Sequence, residues 1–320
     1  MHCVITIPVF RDWESAAVLC DRIDDQLASL VEFSFEVLLV DDGSLQAPDG
    51  CFEGRTPRHL RTIEVLTLRR NLGHQRAIAI GLSYIQNERE FDAVLVMDAD
   101  GEDRPEDIKV LLSEYCRQNQ ESAVFAERGR RVETLQFKFF YQCYRFLHYL
   151  MTGTGIRLGN FSVLPKRHLD GLVAFPELWN HYAATVLKSR LPYVCVRADR
   201  GKRLRGKSQM NFVSLVIHGL SALFSYQELV STRILIVSAL CGTAIALLML
   251  GLLALRVFTS LPIPGWTTLS IGLLLILVAQ LLTTSLAVIF SVMMNRSQLG
   301  FLPLRDYSYF ILGHRLISSG

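Results

Sequence analysis

The stretch VLVMDADGEDRPED, residues 94–107, decides how this chain is read. An apolar run suited to a buried strand breaks into six acidic side chains: Asp98, Asp100, Glu102, Asp103, Glu106 and Asp107. Carboxylates this close repel one another, so a positive partner is required. Asp98 and Asp100 stand at i and i+2, a spacing that aims both side chains the same way in extended backbone. Two converging carboxylates suit a hard divalent cation, Mg2+ or Mn2+, which takes oxygen ligands, keeps waters and binds phosphates besides. Glu106 and Asp107 have a plainer reading, because they follow Arg104-Pro105 and complement a helix N-terminal dipole. A solvated acidic turn is the plain reading of Asp98 and Asp100 too, and a lone pair two residues apart is a weak motif.

The flanking sequence strengthens it. The run from Cys3 to Val9 and the segments FEVLLV (35–40), IEVLTL (63–68) and DAVLVM (92–97) predict short buried strands. Segments 13–30, 74–88 and 104–118 carry apolar residues at helical spacing. Strands alternating with helices define an α/β class, a mostly parallel sheet covered on both faces. Ligands of such sheets bind beyond the carboxyl ends of the strands. The loops PVFRD, DDGS and DADGED therefore share one edge, and all three are polar.

The chain has 320 residues, 50% hydrophobic and 20% charged, with net charge +3. That charge is too mild for a nucleic-acid partner, and no basic run interleaved with aromatics occurs. The charges are uneven: only seven follow Met210. Residues 234–255 and 268–294 contain none, and each is long enough to span a bilayer. Arg233 and Arg296 flank their outer ends, which the positive-inside rule places in the cytoplasm. The expected layout is a cytoplasmic domain at 1–209 and an amphipathic interface region at 210–232. Two transmembrane helices within 233–295 (about 233–256 and 268–294) and a cytoplasmic tail at 296–320 complete it. An aromatic-rich stretch at 134–151 is a core helix or a second interface helix. The seven cysteines and eight histidines lack metal-ligand spacing, and reduced thiols are expected. The N-terminus MHCVITIPVF has no signal-peptide pattern.

With these residues on the page, the chain resembles family 2 glycosyltransferases. IPVF (7–10), VDDGS (40–44), RNLGHQRAIAIGL (70–82), MDADGEDRPED (97–107) and GNFSVLPKRHL (159–169) occur in that family's order. The branch most similar is the polyprenyl-phosphate one, the dolichyl-phosphate mannose or glucose synthase-like enzymes. The resemblance implies a GT-A, Rossmann-like domain, a nucleotide-sugar donor and a divalent cation. It places Pro8, Phe10 and Asp12 along the nucleotide, Asp42 at the base, and Asp98 and Asp100 on the metal, with Glu102 as a further ligand. Three positions depart from the family: Arg11-Asp12 replaces Asn-Glu, Glu102 replaces Gln, and Asn160 replaces an Asp that is the candidate catalytic base.

A sugar hydroxyl needs a base in the transition state. A phosphate monoester, with its second pKa about 6, is already anionic near neutrality. Losing the carboxylate at 160 therefore hurts a lipid-phosphate acceptor far less than an alcohol. An anionic acceptor meeting a diphosphate needs basic groups. Arg128, Arg130 and Arg131 form one cluster; Arg200, Lys202, Arg203, Arg205 and Lys207 form another. Arg203, Gly206 and Ser208 resemble the family's R-x-x-G-x-S-K segment, with Gln209 for its Lys. A juxtamembrane belt holding anionic lipids is the plain reading of the second cluster.

The expectation is an inverting transferase, integral to the plasma (inner) membrane with its catalytic domain cytoplasmic, moving a sugar from a UDP- or GDP-sugar to a polyprenyl phosphate. Asp98, Asp100, Asn160 and Arg203 act at the reacting centre, with Arg128, Arg131 and Ser208 on substrate. Alternatives are a sugar-hydroxyl acceptor served by Asp170 or Glu177, or a degenerate nucleotide-sugar-binding scaffold. The sequence leaves oligomeric state open, a homo-oligomer included.

Overall fold

Strands β1 (His2–Val9), β2 (Ser34–Asp41), β3 (Leu60–Leu68) and β4 (Ala93–Val96) are apolar nearly throughout, and the fold explains why. They lie in parallel in the order β3-β2-β1-β4, and both sheet faces are covered. Ile5, Ile7, Val37, Leu39 and Leu95 face one core, closed by helices α1 (Trp13–Leu27) and α4 (Ile108–Arg117). Val4, Leu38, Val40, Leu66 and Val94 face the other, closed by α3 (His74–Glu88). Each fully buried Val, Leu or Ile contributes roughly 1.5–3 kcal/mol relative to exposure. A short helix, α2 (Asp49–Phe52), intervenes between β2 and β3.

The structure is a computed structural model that describes residues 1–45, 48–128, 135–153, 158–199, 201–204, 219–259, 265–297 and 301–320. Contacts divide the chain into a first unit (1–145, 155–225 and 301–320) and a second (146–154 and 226–300).

In the first unit the sheet has eight strands in the order β7-β5-β6-β4-β1-β2-β3-β8. Beyond β4 it becomes mixed: β6 (Ser162–Pro165) is antiparallel to both β4 and β5 (Ala123–Arg128), while β7 (Tyr193–Ala198) runs parallel to β5. Helices α5 (Leu135–Thr152), α6 (Lys166–Val173) and α7 (Tyr182–Ser189) complete the elements up to β7. Four of the seven described strand pairings are parallel, so the expected mostly parallel GT-A-like sheet is what the chain forms.

One segment differs from its expectation. Residues 311–319, read as part of a tail after the hairpin, are strand β8, antiparallel to β3 at the sheet edge. Glu64 of β3 binds Arg89 and accepts from His314 of β8 at 2.5 Å, so the return strand is held by a side-chain hydrogen bond as well as by its ladder. Apolar and polar residues follow no alternation along β8, which hides the strand from a hydrophobic-periodicity reading.

Asp24 of α1 is buried and accepts three backbone N–H groups, from Arg58, His59 and Leu60, each at 2.8 Å. It fixes the entry into β3. Asp24→Ala orphans those donors and is expected to cost about 2–4 kcal/mol, read as a lowered melting temperature.

The second unit contains two long helices, Gln227–Phe258 and Trp266–Ser297, packed on each other. Both are long and apolar enough to cross a membrane, and their described windows are at most 6% buried. The first begins at Gln227, earlier than the expected 233. Of the expected interface region, residues 210–218 lie outside the described residues; 219–224 are helical, with Leu220 and Phe224 exposed. Arg233 donates to the carbonyl of Leu150 near the end of α5, a cationic cap favoured by the helix dipole.

Candidate active site

The loops that follow β1, β2 and β4 meet at one sheet edge, as expected, and the loop after β3 joins them. Strand β1 runs through Pro8 to Val9, so Pro8 is buried within the strand and the loop starts at Phe10. The Val9 carbonyl accepts from Asp42 N at 2.8 Å on the β2 side. Pro8 therefore faces the β4 side, where pairing has ended at Thr6–Val96, and its missing donor costs nothing. Pro8 shapes the floor rather than lining the loop.

Arg11 adopts φ +58, a left-handed conformation that Asn tolerates better than Arg. Its N–H donates to Ser44 Oγ at 2.9 Å, and its guanidinium lies 4.9 Å from the Phe10 ring. Phe10 and the loop after β2 are thus joined. Asp12 is the N-cap residue of α1; its carbonyl accepts from Ala16 N, and its carboxylate makes no capping bond.

Asp42, expected at the base, is bonded to the loop after β3. Its Oδ1 accepts from Leu72 N at 2.7 Å and its Oδ2 from Gly73 N at 2.9 Å. It braces the turn that leads into α3. Burial raises the Asp42 pKa, while those two N–H groups and His74 act against the rise. Asp41 is raised by burial as well, opposed by its bonds from Ser44. Between the loops, Gly43 (φ +73) has no room for a Cβ, which would fall 2.5 Å from the Arg70 carbonyl carbon.

The acidic stretch resolves into separate tasks. β4 ends at Val96; Asp98 lies just beyond it and Asp100 in the turn that follows, so the two are not on one extended run as the spacing suggested. Gly101 at φ +78 closes that turn, and Asp100 Oδ1 accepts from Glu102 N at 2.9 Å, a side-chain-capped turn. Asp103 Oδ2 accepts from Asp98 N at 2.9 Å, bracing the loop from below. The positive partners come from elsewhere in the chain. Asp98 Oδ1 lies 3.0 Å from His74 Nε2 and accepts from Asn160 Nδ2 at 3.2 Å. Asp100 Oδ2 lies 3.6 Å from Arg203. Desolvation opposes charge on His74, but Asp98, Asp100 and Asp103 outweigh it and raise its pKa above the ordinary value.

Asp98, Asp100, Asn160 and Arg203, four of the expected residues, are therefore gathered in one place. His74 and Gln75 join them unforeseen, although both lie in the quoted segment 70–82, just after β3 on the same edge. Segment 201–204 is tied to the acidic turn: Gly201 N donates to Glu102 O at 2.8 Å and Leu204 N to Asp100 O at 2.9 Å. Arg131 and Ser208 lie outside the described residues, as does the side chain of Arg128, whose backbone ends β5.

The donor set fits a hard cation. Asp98 and Asp100 are about one-fifth exposed and offer anionic oxygens at the mouth of the sheet edge. No three His, Cys, Asp or Glu side chains among the described residues form a ligand cluster, so the expected third ligand, Glu102, is not gathered with the pair. The turn at Gly101 separates it. Two carboxylates without a third is how Mg2+ is commonly held when substrate phosphates complete its shell.

The fold and this edge define a sugar-transferring class, and the chain belongs to glycosyl transferase family 2, whose profile matches residues 5–169. It is a glycosyltransferase. An uncharacterized glycosyltransferase of Synechocystis sp. is 26% identical over 289 residues, spanning 87% of this chain and 86% of that protein. An undecaprenyl-phosphate 4-deoxy-4-formamido-L-arabinose transferase of Erwinia tasmaniensis is 26% identical over 270 residues, spanning 79% and 77%. Among solved structures, a mannosyltransferase from Pyrobaculum calidifontis in complex with GDP-Man and Mn2+ aligns at a TM-score of 0.44 and 17% identity, covering 87% of this chain and 85% of that one.

Proposed function

We propose that this glycosyltransferase moves a sugar from a UDP- or GDP-sugar to a polyprenyl phosphate, anchored in the plasma (inner) membrane by its two apolar helices with the sheet domain on the cytoplasmic side. The observation that carries the acceptor is Asn160. Where the family resemblance implies a carboxylate base, this chain holds an amide whose NH2 is 3.2 Å from Asp98. The two carboxylates that a hydroxyl acceptor was expected to use have other partners. Asp170 accepts from Gln86 at 3.4 Å, and Glu177 is paired with Lys188 at 2.6 Å. An acceptor that is already ionised needs no base. Relatives named as undecaprenyl-phosphate 4-deoxy-4-formamido-L-arabinose transferases support the same reading.

Asp98 and Asp100 would hold Mg2+ or Mn2+, which supplies charge neutralisation for the departing diphosphate. Arg203, at 3.6 Å from Asp100, brings a fixed positive charge to the same edge and orients an anionic acceptor. Asn160 donates hydrogen bonds there. Attack of the acceptor oxygen on the anomeric carbon displaces the nucleoside diphosphate with inversion.

The test is to incubate membranes carrying the protein with labelled UDP- and GDP-sugars, Mg2+ or Mn2+ and undecaprenyl or dolichyl phosphate. Label is expected in the organic phase. Label that appears only on a hydroxyl acceptor, in the absence of lipid phosphate, would refute the lipid-phosphate reading.

A further inference from the structure

Gln75, the second residue of α3, is buried at the base of the site. Its Oε1 accepts the backbone N–H of Tyr182, at the start of α7, at 2.7 Å. A backbone amide can only donate, so the nitrogen of the Gln75 side chain must face the other way. That nitrogen lies 3.2 Å from Asn160 Oδ1. With its oxygen facing Gln75, Asn160 must turn its NH2 outward, to 3.2 Å from Asp98 Oδ1. The direction of the whole series, Tyr182 N–H to Gln75 to Asn160 to Asp98, is set by one group that cannot reverse. Tyr182 is itself immobilised, with its ring buried and its hydroxyl 2.6 Å from Ser162 Oγ. Ser162 also donates to the carbonyl of Asn160 at 2.8 Å, so both ends of residue 160 are fixed.

We infer that Gln75 is a positioning residue for the transfer reaction: acting through Asn160, it presents an N–H donor, never an acceptor, to Asp98 and to the incoming substrate. The inference rests on the reading above only in taking Asn160 as part of the reacting centre. A family member with Asp at this position can also accept from Gln75, so the same glutamine serves either residue. What differs is the outward end, a donor here and an anion there. Gln75 thereby converts a single-residue difference into an opposite hydrogen-bonding character at the site.

Gln75→Glu separates positioning from packing. Glutamate has the same length and still accepts from Tyr182 N–H, so the contact that holds the start of α7 survives. As a carboxylate, at a pH high enough to ionise it, its second oxygen cannot donate to Asn160 and instead attracts the NH2, which turns the amide over and sets Oδ1 against Asp98. The expected result is a melting temperature within about 2 °C of the parent. Alongside it, kcat should fall about ten- to hundredfold, with donor KM moving much less. In an Asn160→Ala background, which has no amide to orient, most of that loss should vanish. Equal losses in both backgrounds, or parental transfer by Gln75→Glu beside an impaired Asn160→Ala, would overturn the inference and leave the proposed function standing. Parental transfer by Asn160→Ala would likewise overturn the inference and leave the lipid-phosphate reading standing. Should Gln75→Glu lower the melting temperature further than expected, Gln75→Met is put through the same cycle, where absence of coupling to Asn160 again refutes the role.

Discussion

Asp100→Asn is expected to leave the protein folded and nearly inactive. The amide oxygen of asparagine can still accept from Glu102 N, now at 2.9 Å from Asp100 Oδ1, so the turn closed by Gly101 is kept. What disappears is one of two anionic oxygen donors for a divalent cation and the countercharge of Arg203. Charge stabilisation of a leaving diphosphate commonly amounts to several kcal/mol, so transfer should fall by about two to three orders of magnitude. The measurement is label transferred to lipid at saturating donor, paired with Mn2+ binding followed by titration of its paramagnetic signal. Binding should weaken in parallel, and chelation of divalent ions should silence the parent enzyme. Asp100→Ala should be at least as inactive, with an added loss of stability from the orphaned Glu102 N–H. Transfer near the parental rate by Asp100→Asn would remove the metal assignment, whatever the acceptor.

The second large effect concerns the loop junction beside the site. Gly43→Ala puts a side chain at φ +73, and its Cβ would fall 2.5 Å from the Arg70 carbonyl carbon and 2.6 Å from Asn71 N. Those atoms are backbone, and they cannot retreat freely because Asp42 grips the amides of Leu72 and Gly73 immediately after them. Left-handed strain and the clash together are expected to cost about 3 kcal/mol or more, lowering the melting temperature of a domain this size by about 6–12 °C. Gly50→Ala is the matched control. It lies in a short helix at negative φ, and a Cβ there meets nothing within 4 Å. Equal melting temperatures for the two variants would show that the loops after β2 and β3 are not in this close contact.

The parts of the fold that sequence makes legible are those where a single periodicity dominates. α3 spans 74–88 as expected, because its apolar positions recur from Ala77 to Ile85, and the buried parallel strands β1 to β4 read as apolar runs. β6 has only four residues, too few to show any period, and β8 shows no alternation, with five consecutive residues exposed. The site was legible as chemistry but not as wiring. Asp98, Asp100, Asn160 and Arg203 stand out by residue type and order, whereas the bonds that join them cross long separations. His74 and Asn160 are 86 residues apart, Gln75 and Tyr182 107. The backbone bonds of Asp42 and Asp103 were likewise not legible, since a buried carboxylate is most stable where backbone N–H groups surround it and only the fold shows which ones do.

Strand β8 has a practical consequence. The chain leaves the sheet domain, forms the apolar hairpin and then comes back to finish the sheet, so the hairpin is an excursion and not a terminus. A water-soluble version made by stopping before Gln227 would strip the ladder from β3 and uncover Glu64 and Arg89 without their His314 neighbour. Excising the two helices while splicing the segment from Phe301 onward back on would preserve that edge.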